Sequence, residues 1–165
     1  MSDTESTSEM SKPGRVFLVV VDQTEEMLAA LRFACRRARA TGGRVVLLRV
    51  IEPAEFQQFA TIGDLMRAEA RQDAEEVLQA VASAVNACSG QLPVLYVREG
   101  DPREELLKLI DEEPAISILV LAADTGPRGP GPLISALTGK YISRLRVPVT
   151  IVPGNLDEEK INAIT

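Results

Sequence analysis

The chain has 165 residues, 45% hydrophobic and 25% charged, which is enough for one domain with a substantial core. Its formal net charge of −6 excludes a general nucleic-acid binder, because affinity for a polyanion comes from Lys and Arg that neutralise phosphates. Histidine is absent, which removes the commonest general base and excludes Ser-His-Asp, Cys-His and His-metal mechanisms.

Residues 1–14, MSDTESTSEMSKPG, are polar, acidic and rich in Ser and Thr, and they lack the basic start and apolar stretch of a secretory signal. They read as a disordered tail ahead of a domain over 15–153. RVFLVVV, Arg15 to Val21, is a continuous β-branched and aromatic run ending at Asp22, the pattern of a strand buried on both faces. TEEMLAALRFACRRARA predicts an amphipathic helix with Leu28, Leu31, Cys35 and Ala38 on its apolar face. Acidic residues are expected in its first turn, Arg36, Arg37 and Arg39 toward solvent, and Gly42-Gly43 at its end. RVVLLRV, Arg44 to Val50, is a second buried strand. An irregular segment follows, then a long helix marked by Leu78, Val81, Val85 and Cys88 and stopped by Ser89-Gly90.

LPVLYV is a third strand, and Pro93 near its start points to a sheet edge, since proline cannot donate to an interior ladder. In GDPREELLKLI, Asp101 reads as an N-cap, Pro102 as the first helical residue, and Glu104 as the partner that closes a capping box. ISILVLAA, Ile116 to Ala123, is a fourth buried strand. The loop DTGPRGPGPLISALTGKY follows, with four glycines and three prolines; Leu133 to Arg144 reads as a short helix and VPVTIV, Val147 to Val152, as a fifth strand. Residues 154–165 are expected to be a C-terminal tail. No apolar run approaches the length that crosses a bilayer, so no membrane partner is expected. The two cysteines match neither a metal nor a redox spacing and read as core residues of a cytoplasmic protein.

Strict alternation of buried strands and helices implies an α/β fold: a single doubly wound, five-stranded parallel sheet, order 3-2-1-4-5, with helices on both faces. Ligands of such sheets bind beyond the carboxyl ends of the strands where the strand order reverses, here between strands one and four. Asp22 ends strand one and the Gly/Pro-rich loop leaves strand four, so both converge on that crevice. A local role for Asp22 as a helix cap, through Asp22-x-x-Glu25, competes with a ligand role. The glycines likewise serve either as turns or as points of close backbone approach.

Known phosphate cradles can be tested by spacing. A Walker loop is absent because Gly139-Lys140 is followed by Tyr141, and a dinucleotide fingerprint is absent because VDQTEE has no glycine. The same turn lacks the Ser/Thr cradle for FMN and the acidic cluster of a phospho-receiver. What remains is Gly126-x2-Gly129-x9-Gly139. With VVVDQT, VREGDPREELLKLI and RVPVTIVP, it resembles the universal stress proteins over nearly the whole domain. The ATP-binding members carry Gly-x2-Gly-x9-Gly-Ser/Thr after strand four.

The resemblance implies that Asp22 bonds a ribose, Val50 lies against adenine, and Gly126, Gly129 and Gly139 admit phosphates. Lys140 stands where those members have Ser or Thr: a hydroxyl is lost and an ammonium that can pair with phosphate is gained. The expected ligand is ATP or AMP with Mg²⁺, bound by a regulator with no evident general base and at most slow hydrolysis. The alternative is a nucleotide-free interaction scaffold of the same fold. The resemblance also implies a homodimer through strand 147–152, whose edge carries unpaired backbone groups.

Overall fold

The computed structural model describes residues 14–53 and 63–165. The expected disordered tail, apart from Gly14, and most of the irregular segment after the second strand lie outside the described residues. The strands are β1 (Val16–Val20), β2 (Arg44–Ile51), β3 (Val94–Glu99), β4 (Ile118–Ala123) and β5 (Val149–Pro153). The helices are α1 (Met27–Thr41), α2 (Gly63–Ser89), α3 (Pro102–Glu112), α4 (Pro132–Thr138) and α5 (Glu158–Ile164), with a 3-10 turn at Ile142–Arg144.

All strand pairs are parallel and the order is β3-β2-β1-β4-β5, as expected. Alternation along the strands divides the core into two layers. Phe17, Val19, Val45, Leu47 and Val120 pack under α1, α2 and α5. Leu18, Val46, Leu48, Leu119 and Leu121 pack under α3 and α4. The edge strand β3 is only half-buried through most of its length, consistent with the proline just before it.

Four local features differ from the sequence reading. Helix α1 starts at Met27, so Glu25 and Glu26 precede it, and its buried face is Ala30, Leu31, Ala34, Cys35 and Ala38 while Leu28 is 57% exposed. The small residues Ala30, Ala34 and Ala38 recur every four positions and let the helix lie close on the sheet, which sets its rotation. At α3, the Asp101 Oδ1 accepts from the amides of Arg103 (2.9 Å) and Glu104 (3.3 Å). The reciprocal half of the box is not made, because Glu104 instead takes both Arg144 nitrogens at 2.8 Å. Residues 133–144 do not form one helix: Gly139 caps α4, and the 3-10 turn follows.

The fourth difference is α5. Asp157 caps it through the Lys160 amide at 2.8 Å, and Ile161 is fully buried against α1, a burial that contributes about 1.5–3 kcal/mol. Arg36 Nε donates to Thr165 Oγ1 at 2.7 Å and Arg37 Nη1 to the Thr165 carbonyl at 3.4 Å. These two arginines therefore hold a second helix rather than facing only water.

Candidate functional site

The carboxyl ends of β1 and β4 diverge into a cleft of about 240 Å³, lined by the β1–α1 turn on one side and by Asp124 and Pro130 to Ile134 on the other. A wider cleft of about 570 Å³ opens beside it over the ends of β2 and β3, and the two share Pro132 and Leu133 as a dividing wall. The first lies at the topological switch between β1 and β4, and the second flanks it on the β2–β3 side.

Asp22 lines the first cleft. Its Oδ1 accepts from the Thr24 amide at 2.9 Å and the Thr24 hydroxyl at 2.6 Å, a local turn that orients the carboxylate, while Oδ2 has no partner among the described residues. Asp22 does not cap α1: Glu26 occupies the N-cap position and makes no side-chain bond there. Thus the local alternative for Asp22 is a turn, not a helix cap. Carboxylates of Asp22, Glu26 and Asp124 line this cleft together with Val20, Met27, Val120 and Leu133, and no Lys or Arg joins them. Such a wall suits hydroxyl or amine donors and disfavours anions.

The loop after β4 folds back on itself. The Asp124 amide donates to the Pro130 carbonyl at 3.2 Å, and the Gly126 amide donates to Asp124 Oδ1 at 2.8 Å. Gly129 (φ +89°) and Gly131 (φ +110°) both adopt backbone conformations that side-chain-bearing residues rarely take, so the turn needs glycine at each. The Gly129 amide bonds the Gly126 carbonyl (3.4 Å) and the Gly139 amide the Ala136 carbonyl (3.3 Å). All three amides expected to face phosphates therefore have internal partners here. At Gly139 a Cβ would stand 3.0 Å from the Ser135 carbonyl, a local steric reason for glycine at that helix end.

Val50 is 6% exposed and packs in the layer beneath α3 and α4, away from the lining of either cleft. Lys140 is exposed, with Nζ 5.8 Å from the centre of the Tyr141 ring, which Arg103 (5.7 Å) and Arg144 (5.4 Å) also flank. Arg103 lines the second cleft and is paired with Asp101 at 2.7 Å. The structure thus brings Asp22 together with the loop's Asp124 and Gly131 at one cleft, while Val50, Gly126, Gly129, Gly139 and Lys140 lie outside both linings. The glycine spacing does not point to Asp124, Gly131 or the exposed Arg128 of the same loop. The sequence signal for the first was present, since Asp124-Thr125-Gly126 is the pattern of an Asx turn.

The universal stress protein family model matches residues 14–153, and the chain belongs to that family. Its fold is similar to that of universal stress protein UspA from Lactobacillus plantarum, with 20% identity, TM-score 0.69, and coverage of 86% of this chain and 99% of that one. A universal stress protein in complex with cAMP is 18% identical (TM-score 0.59), covering 87% of this chain and all of its own. The universal stress protein from Archaeoglobus fulgidus in complex with dAMP is 19% identical (TM-score 0.57), with 83% of this chain and 96% of that chain covered. No curated protein matches the chain. At these identities the likeness to solved structures is one of fold. Among the described residues, no helix is long and apolar enough to cross a membrane.

Proposed function

We propose that this protein is a cytoplasmic regulator that binds an adenine nucleotide, AMP or ATP, at the crevice between β1 and β4, and acts by its bound state rather than by fast turnover. The observation that carries the reading is the cleft itself: largely apolar walls, lined also by Asp22, whose Oδ2 has no partner among the described residues, at the switch point of a doubly wound sheet. Asp22 is assigned to the ribose hydroxyls and, once the loop opens, Gly126, Gly129, Gly139 and Lys140 to the phosphates; Val50, expected beside adenine, is buried beneath α3 and α4 and is given no ligand contact. The two family structures in complex with cAMP and dAMP support an adenine ligand.

The described residues contain no group of three Cys, Asp or Glu side chains arranged to hold a metal ion. Mg²⁺ would therefore enter on the phosphates, not on a protein cage. A phosphate would have to replace the internal bonds of the Gly126, Gly129 and Gly139 amides, so binding and loop opening are one event. Isothermal titration with Mg-ATP and with AMP tests the reading: micromolar affinity that Asp22→Ala weakens about tenfold is expected from loss of a charge-assisted hydrogen bond. Absence of heat at millimolar nucleotide would leave the second reading, a nucleotide-free dimeric scaffold. The loop's internal closure and the Lys140 substitution are what favour that alternative.

A further inference from the structure

Cys35 in α1 and Cys88 in the last turn of α2 lie far apart in sequence and are the chain's two cysteines. The fold brings them into one core layer, Cys35 at 2% exposure and Cys88 half-buried beside it. One turn beyond Cys35, Arg39 Nη1 reaches the Cys88 carbonyl at 3.5 Å and pins the two helix ends together. Burial, reinforced by the neighbouring Cys88 side chain, pushes the Cys35 thiol up to about 12.

We propose that Cys35 and Cys88 form a dithiol that a hydroperoxide oxidises to an intramolecular disulfide, fastening α1 to α2. The half-buried Cys88 sulfur meets the oxidant first. Its attack breaks the peroxide O–O bond, leaving a sulfenic acid on Cys88 and releasing water or an alcohol. The Cys35 sulfur then attacks the Cys88 sulfur. The S–S bond forms, the S–O bond breaks, and the departing hydroxide leaves as water with the Cys35 proton. Two electrons pass from the sulfur pair to the peroxide, and a dithiol reductant reverses the change. Because Cys35 is buried and held protonated, it serves as the resolving thiol and not as the first nucleophile. The bond would tether the helix whose Met27 and Ala30 line the first cleft.

Hydrogen peroxide treatment of the folded full chain, followed by intact mass and non-reducing peptide mapping, tests this. The expected product is lighter by two hydrogen atoms, has no free thiol after denaturation, joins the Cys35 and Cys88 peptides, and reverts with dithiothreitol. Its thermal midpoint should rise by roughly 5–15 °C, from the loop the bond closes. In Cys35→Ser, Cys88 should stop at a sulfenic acid that dimedone traps; in Cys88→Ser, Cys35 should remain reduced. Three results in the wild type would overturn the proposal without reference to either variant: Cys88 over-oxidised to the sulfinic acid, a Cys88–Cys88 bond between two chains, or both thiols intact under conditions that oxidise a free cysteine peptide.

Discussion

Asp22, Asp101 and Asp124 follow β1, β3 and β4, and in each the Oδ1 accepts from the backbone amide two residues on, at 2.9, 2.9 and 2.8 Å. The same local turn has three outcomes because the remaining partners differ. Asp22 adds only the Thr24 hydroxyl and keeps an oxygen free at the cleft. Asp124 closes its own loop. Asp101 is bidentate to the Arg103 guanidinium, which, with the Glu104 and Arg103 amides, holds its carboxyl at about 2 against the opposing effect of burial. A depressed carboxyl stabilises the fold above its ordinary value of 3.8, and that contribution is lost as pH falls from there toward about 2. Carboxyl-carbon NMR should show Asp101 titrating near 2 in the wild type and moving up toward 3.8 in Arg103→Ala. An unmoved midpoint would mean that the amides alone hold the charge.

At the scale of the element, the β4–α4 loop decides what the crevice accepts. Asp124 uses the Gly126 amide and puts a negative charge on the side where phosphates would enter. Asp124→Ala should free that amide and remove the like charge, tightening ATP several-fold through an effect of about 1 kcal/mol while leaving adenosine nearly unchanged. Equal shifts for both ligands in parallel titrations would show that the loop does not touch the phosphates.

Elements with a single dominant pattern were legible in the sequence: the VFLVV and VVLLRV runs read as buried strands, and Asp101-Pro102 as a helix start. Elements settled by competing contacts were not. The rotation of α1 turned on its alanine ridge against a leucine-containing stripe, and the capping box at α3 yielded to the charge of Arg144. Helix α5 is short and opens on three charged residues, and only Ile161 marks its buried side. The motif glycines were legible, but their amides' internal partners were not, because spacing does not reveal how a loop closes.

For the whole molecule, the parallel sheet leaves two edges, β3 and β5. Ile151 on β5 is 42% exposed, so this edge strand presents an apolar side chain to solvent. The proposed homodimer pairs two copies of β5 across a two-fold axis. Light scattering during size exclusion should give a dimer for the wild type at tens of micromolar and a monomer for Ile151→Lys, because like charges would meet near the axis. A dimeric Ile151→Lys protein would place the contact elsewhere.

In the proposed complex an adenine nucleotide occupies the crevice between β1 and β4. Amide chemical-shift mapping of the full chain during AMP titration tests it most directly. Saturable shifts concentrated at Asp22, Thr24, Asp124, Gly126 and Gly129 are expected, with the Gly126 amide changing most as it exchanges the Asp124 carboxylate for ligand. Saturable shifts clustered on another surface, or none at millimolar AMP, would contradict it.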